Sequence, residues 1–462
     1  MCRRAVRARG SATAHECSLL AHPLPISQPR KKARSVMGLG AKLAAVVARV
    51  RSQQQALWVF SDQGFVSASN FVFGVLMARL LGVEGFGQWV LLWAVLLYAN
   101  TICTALILSP LMIELPRAET ETERLHILSG SLMAQLLLSG GLALLIALGV
   151  WLTGQVFKAW ALGSLVWPMA AAMVAYQLQD WARRCFFAQR RARPVLVSDL
   201  LAYGGQVLLV AVLGWYGKLN VQSAFLTVAG CYLLGFAVSL AQLRIRPSLR
   251  AARSLAAGMW RVSRDYFLAA QFQWIGANGV LFIGASALGL QSAAAIRVAI
   301  NLLGPTNILL QALENLAPVQ CSLRYKMGGH SALLAYLRKL LIAFGGPLAV
   351  LMLLISFLGT QLLTLAYGDA YSAFGYLVSL QCAYVFLSFL VRLLTFLRRA
   401  LDQVQVVSLA SLVSALAAVG SVAVLVRPLQ DVGVMAGMLA GLSAALLLLW
   451  FWPGRHGLRP GP

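Results

Sequence analysis

The sequence predicts an all-α membrane protein of about twelve transmembrane helices, arranged as two pseudo-two-fold-related six-helix bundles around a central cleft. Three observations predict it. Of 462 residues, 60% are hydrophobic and only 11% charged, whereas soluble domains carry about a quarter charged residues. Apolar stretches of the length that crosses a bilayer, about 20 residues, recur along the whole chain. The chain also matches itself at one fixed offset. Together these exclude an ordinary soluble domain and a disordered chain.

Residues 1–55 carry eleven Lys/Arg against one acid, Glu16. They lack the apolar core and small-residue cleavage site of a secretory signal, and read as a basic, disordered cytoplasmic leader, with Met37 a second candidate start. The run Pro29-Arg30-Lys31-Lys32-Ala33-Arg34 can be read as a nucleic-acid or lipid-headgroup patch, but a solvated basic leader is the simpler account. Spans are expected at 56–80, 86–112, 125–154, 159–187, 194–215 and 220–243, then at 262–286, 290–317, 333–358, 371–395, 403–426 and 430–452. Those beyond about 25 residues imply tilt.

The formal net charge is +24, and its distribution reports topology. With the N-terminus inside, 33 of the 38 Lys/Arg fall on inner segments and four (Arg79, Lys158, Lys218, Arg427) on outer turns, while Arg297 lies within a span. The positive-inside rule then places both termini in the cytoplasm. Outer turns are short, which leaves no external domain.

Shifting the sequence by 208 positions aligns Gln63 with Gln271, Asn70 with Asn278, Pro110 with Pro318, Tyr176 with Tyr384, Arg184 with Arg392 and Arg190-Arg191 with Arg398-Arg399. In the first outer turn the register slips by one, setting Gly82 against Gly289. Each unit holds six spans, so both enter the membrane from the same side. The expected division is a leader at 1–55, an N-terminal bundle at 56–254 and a C-terminal bundle at 255–462.

Two stretches carry a family resemblance. The first unit reads Asp62-Gln63-Gly64-Phe65 through Asn70-Phe71, then Ala78-Arg79-Leu80-Leu81-Gly82-Val83-Glu84-Gly85-Phe86-Gly87 and Ser109-Pro110-Leu111; the second stretch is Arg183-Arg184-Cys185-Phe186-Phe187-Ala188-Gln189-Arg190-Arg191-Ala192-Arg193-Pro194 with Ser198-Asp199. Over most of 56–452 the chain resembles the oligosaccharide-lipid flippases and polysaccharide exporters of the multidrug/oligosaccharidyl-lipid/polysaccharide exporter superfamily. The resemblance implies alternating-access movement of an undecaprenyl-diphosphate-linked oligosaccharide from the inner to the outer leaflet of a bacterial inner membrane, for surface polysaccharide or O-antigen assembly. Implied partners are that lipid-linked oligosaccharide, membrane lipids and polysaccharide polymerase machinery, with no nucleic acid and no cofactor beyond a coupling H+ or Na+. Many polysaccharide members have fourteen spans, and lipid II flippases carry first-span arginines where this chain has Asp62 and Gln63.

A translocase of a hydroxyl-rich headgroup must line its cleft with polar groups that replace water. Gln63, Ser67, Asn70 and Gly74 share one helical face of the first span, and Gln271 and Asn278 repeat the pair on the seventh. On the eighth, Arg297, Asn301, Gly304, Gln311 and Asn315 form a longer stripe. Each amide is equally explained as an interhelical hydrogen bond worth about 0.6 kcal/mol. Arg297 is different, since an arginine deep in a span costs about 2.5 kcal/mol or more unless it meets water or an anion. In the related flippases, cavity cations attract the substrate phosphate. Asp62 and Glu314 are the acids placed firmly inside spans and are ion-coupling candidates, although snorkelling or pairing with basic loops explains them equally.

No enzymatic constellation is visible. The five histidines lie in tails or at span ends, without an H-x-x-x-H pair, a nucleophile elbow or a glycine-rich phosphate loop. Seven cysteines show no C-x-x-C spacing, and Glu114, Glu119, Glu121 and Glu123 read as solvated charge at a helix start. Two rivals stand beside the flippase: a cation-coupled multidrug exporter of the same superfamily, kept alive by Asp62 and Glu314, and a membrane glycan polymerase or ligase, disfavoured by the short outer turns.

Overall fold

The computed structural model describes the backbone from Leu39 to Trp452 and most side chains from Trp58 onward. Residues 1–38 and 453–462 lie outside it, and with them the leader's basic run and Met37. Among the described residues there are helices and turns and no strands. Helix α1 spans Leu39–Cys103, so the last part of the stretch expected to be disordered is helical. A π turn at Thr104–Leu108 joins it to α2 (Ser109–Glu114), where Pro110 withholds the backbone N–H that a regular ladder needs. Then come α3 (Glu121–Val156), α4 (Val166–Ala188), α5 (Ala192–Asp199), α6 (Gly205–Trp215) and α7 (Val221–Leu243). The second half holds α8 (Leu249–Leu288), α9 (Leu290–Leu302), α10 (Thr306–Leu340), α11 (Gly346–Phe357), α12 (Gly359–Tyr367), α13 (Gly375–Ala400) and α14 (Val404–Phe451).

Seven helices among the described residues are long and apolar enough to cross a membrane. Several are double crossings hinged at one residue. Gly82 breaks α1 with φ 70°, Gly329 breaks α10 with φ 64°, and Gln430 breaks α14 with φ 49° just after Pro428. With these hinges counted, the helices fall into the twelve crossings and two bundles that the sequence predicts. The start of α8 at Leu249 places the 254/255 division inside its first turns.

The duplication is visible in the backbone. Gly82 (φ 70°, ψ 176°) and Gly289 (φ 91°, ψ −177°) take one conformation in equivalent hairpins, 207 positions apart, as the register slip requires. That region favours glycine because a Cβ clashes there. One aligned pair matches in letter but not in place. Helix α13 has 26 residues against 23 in α4, so Arg398 stays inside its helix while Arg190 sits in the following turn at φ 55°.

Helix starts are capped by local chemistry. Thr120 accepts the Glu123 amide N–H at 3.1 Å, and Glu121 and Glu123 lie in the first turn of α3, where carboxylates meet the positive end of the dipole. Asn220 and Ser223 form a reciprocal capping box on α7. In the last hairpin, Gly433, Gly437 and Gly441 face Leu425, Val422 and Ala418 so closely that no Cβ fits, the small-residue packing by which membrane helices associate.

The two halves touch at the end that the charge asymmetry assigns to the outside. Arg79 Nε donates to the Ala366 carbonyl at 2.7 Å and its Nη2 to that of Leu365, capping the negative end of α12. The buried Tyr371 hydroxyl donates to the Ala78 carbonyl at 3.3 Å, and Gln291 donates to Glu84.

Candidate functional site

Between the halves lies a cavity of about 700 Å³, with a second of about 230 Å³ on the other side of Arg297. Arg297 lines both. The first face of α1 delivers Ser67, Asn70 and Gly74 to the larger cavity, as its helical spacing predicts. Asn301 and Gly304 join them from the eighth span, and Asn301 packs so near Gly74 that a Cβ there would stand 3.1 Å from its amide nitrogen.

The stripe on the eighth span is not continuous, however. The helix stops at Leu302, and Gly304 N–H turns back to the Asn301 carbonyl at 2.9 Å before α10 begins at Thr306. Pro305 cannot donate into a continuing ladder. Unwound backbone at membrane depth is tolerated where it lines a polar cavity, and Gly304 and Pro305 do line it. Gln311 and Asn315 follow the break, in α10, and their side chains lie outside those described.

The other candidates separate. Gln63 is exposed, does not line the cavity and donates to Asp62 Oδ2 at 3.2 Å. Gln271 bonds the Phe267 carbonyl of its own helix and lines neither cavity. Asn278 lines the smaller one, donating to the Trp274 carbonyl at 3.3 Å. Glu314 is exposed and ion-paired with Arg392.

Asp62 is fully buried, and it is not alone. Arg183 on α4 stands 2.9 Å from Asp62 Oδ2 and 2.7 Å from Asp199 Oδ2, tying the first span to the fifth. Gln179 donates to Asp199 Oδ1 at 2.6 Å. Side-chain exposure is 0% for both aspartates and 13% for Arg183. Asp199 thus joins Asp62 and Glu314 as an acid inside a span. Two carboxylates on one guanidinium leave one excess negative charge in a dry site, a costly arrangement unless a proton or cation completes it.

Sequence reasoning missed the aromatic wall. Trp89, Trp93, Tyr176, Tyr203 and Tyr232 line the larger cavity, with Trp89 and Trp93 stacked at 5.1 Å between centroids. The repeat-related partner of Tyr176, Tyr384, lines the smaller cavity beside Gln381, Ser388 and Arg392. The 208-residue match of the two tyrosines was the available signal. Gln206 Oε1, Tyr232 Oη and Gln381 Oε1 are buried on these walls without a hydrogen-bond partner among the described residues. Arg297 likewise makes no hydrogen bond or ion pair with a described residue. Among the described residues, the charged side chains lining the two cavities are Arg297 and Arg392, both cationic.

No protein-family model and no curated protein matches the sequence. Solved structures do. An inward-facing multidrug resistance MATE family transporter of the MOP superfamily superposes with a TM-score of 0.65 at 16% identity, over 83% of this chain and 93% of that one. The lipid II flippase MurJ, in an inward closed conformation, gives 0.62 at 12% identity over 86% and 87%. A MOP superfamily transporter from Pyrococcus furiosus, described as having a binding pocket of reversed polarity, gives 0.57 at 13% over 87% and 93%. The chain therefore has the fold of the MOP superfamily transporters, the superfamily its sequence resembles, and these neighbours are transporters and a flippase rather than enzymes.

Proposed function

We propose that the chain is an alternating-access transporter that carries a lipid-linked oligosaccharide, of the undecaprenyl-diphosphate class, from the inner to the outer leaflet for surface polysaccharide or O-antigen assembly. The observation that carries this reading is the sign of the cavity. Among the described residues the charged lining of the larger cavity is Arg297, without a carboxylate, and Arg392 in the smaller one is already paired with Glu314; an unpaired cation in the larger cavity favours a phosphate-bearing substrate and disfavours a cationic drug. Trp93, partly exposed and backed by the buried Trp89, offers an apolar face against which a sugar ring stacks, and Asn70, Asn301 and Gln206 offer amides for hydroxyls. A volume of about 700 Å³ lies within the roughly 300–1,000 Å³ range of small-ligand sites, enough for the diphosphate and its first sugars. The exported product would then be taken up by polymerase machinery.

Coupling in this reading runs through protons. Arg183 already occupies the place between Asp62 and Asp199 where a sodium ion would sit, and a second metal cation beside a guanidinium is repelled. A proton needs one free carboxylate oxygen, and Asp62 Oδ1 has no hydrogen-bond partner among the described residues. Loading would neutralise the network and unloading would restore its charge, which biases the two conformations differently.

The aromatic wall also suits a multidrug exporter, so the test must separate the two. Liposomes holding the purified chain are given a fluorescent polyprenyl-diphosphate sugar or a cationic dye. The proposal expects saturable flipping of the first, reduced at least 30-fold by Arg297→Glu and only in part by Arg297→Lys, which keeps the charge but loses the bidentate fork. Transport of the dye with no movement of the diphosphate lipid would establish the drug reading instead.

A further inference from the structure

We propose that a groove on the far side of the second half holds one anionic phospholipid, with its acyl chains among leucines and its phosphate on Arg338. The groove has a volume of about 580 Å³ and lies between α10, α13 and α14. Leu337, Leu341, Leu393, Leu397 and Leu447 line it, and Arg338 is its single charged lining residue. A leucine-walled slot has nothing to offer water or sugar. It suits hydrocarbon.

The slot is built, not incidental. Arg398 reaches from α13 to the last turn of α14, donating to the Leu449 carbonyl through Nε at 2.9 Å and through Nη2 at 2.5 Å, and to the Trp452 carbonyl at 3.2 Å. These are the orphan carbonyls of a helix end, so Arg398 is spent on them and fixes two walls relative to each other. The third wall follows from the π turn at Leu341–Gly345, where Gly345 lets the Phe389 ring come close.

At the rim the charge is one-sided. Arg338 is exposed and makes no hydrogen bond or ion pair with a described residue, while the exposed Lys339 and Arg399 fall on the faces of their helices turned away from the groove. Trp450 and Phe451, 66% and 72% exposed, flank the slot as interfacial aromatics do at headgroup level. A phosphatidylglycerol phosphate meets the Arg338 guanidinium there, whereas the ammonium of phosphatidylethanolamine would be repelled by it.

The occupant is a resident lipid and not the tail of transported substrate. On α13, Gln381, Tyr384, Ser388 and Arg392 line the smaller cavity while Leu390, Leu393, Leu394 and Leu397 line the groove. At 100° per residue these two sets occupy opposite faces of the helix.

Native mass spectrometry of the full chain, released from nanodiscs of mixed phosphatidylglycerol and phosphatidylethanolamine, tests the assignment. One phosphatidylglycerol should remain per chain. Arg338→Gln should lower its retention about fivefold and Arg338→Lys much less, Arg399→Gln should leave most of it, and Leu393→Trp should abolish it by filling the slot. Equal retention of the two lipids, or equal losses in Arg338→Gln and Arg399→Gln, would reduce the effect to diffuse surface charge and overturn the proposal. Displacement of the bound lipid by a polyprenyl diphosphate would overturn it in favour of a substrate-tail site. Because none of these readouts involves transport, they stand or fall apart from the transport function.

Discussion

In the first half of the chain, Asp62, Arg183 and Asp199 form an ion-pair network sealed from solvent. At the 208-residue offset the second half places Ala270 opposite Asp62 and Val391 opposite Arg183, and α14 carries no acid from 403 to 430. Its nearest analogue, Arg392 with Glu314, is partly exposed. The backbones remain equivalent down to the left-handed glycines at their hairpins. The scaffold is thus repeated, while among the described residues a buried two-carboxylate network occurs in the first half. The cavities differ in the same sense. The larger, about 700 Å³, is walled mainly by first-half aromatics, and the second half contributes Arg297 to it from a broken span. In the proposed function the first half would carry charge in and out, and the second would present the cation that meets the cargo.

The largest effect expected from this contrast is on stability. Arg183→Gln strands two buried carboxylates and should cost about 3–5 kcal/mol, whereas Arg392→Gln, in a pair partly open to solvent, should cost about 0–1 kcal/mol. Thermal unfolding of the two purified variants in one detergent reads the difference directly. Similar melting shifts would mean that the buried network is not the structural keystone of its half. Adding Asp199→Asn to Arg183→Gln sharpens the point, because removing one of the stranded charges should recover part of the loss.

A smaller effect is expected at the junction of the halves. Arg79→Ala removes the cap on the Leu365 and Ala366 carbonyls; with its exposure discounted, such a contact is worth about 1 kcal/mol. The population open to the outside should rise about fivefold. Cysteine placed at Ser67 in a background free of native cysteines should then react faster with an impermeant reagent applied outside, and Arg427→Ala should leave its rate unchanged. Unaltered labelling in Arg79→Ala would remove the contact from the gate.

Much of this was legible in the sequence, and the exceptions have physical causes. Composition and hydrophobic runs give the twelve crossings because a bilayer fixes segment length, and a single offset gives the duplication. Periodicity puts Asn70, Asn301 and Arg297 on faces that line the cavity, since each lies within a regular helix. Beyond Leu302 it loses its basis, because Gly304 and Pro305 end the helix and no count of residues carries a face across the break. The ion network escaped notice for another reason: Arg183 and Asp199 are separated from Asp62 by more than a hundred residues and each lies next to a segment boundary, where a charge reads as interfacial. Only the packing of α4 against the first and fifth spans shows that the three converge.

Gradient-driven flipping tests most directly the claim that coupling belongs to the first half. Proteoliposomes carrying the fluorescent polyprenyl-diphosphate sugar are given an imposed proton gradient, then a sodium gradient. The account predicts that the proton gradient accelerates flipping by the parent and by Glu314→Gln, has no effect on Asp62→Asn, which mimics the loaded carboxylate, and is not replaced by sodium. An Asp62→Asn protein that still responds to the proton gradient as the parent does, while Glu314→Gln loses its response, would contradict it.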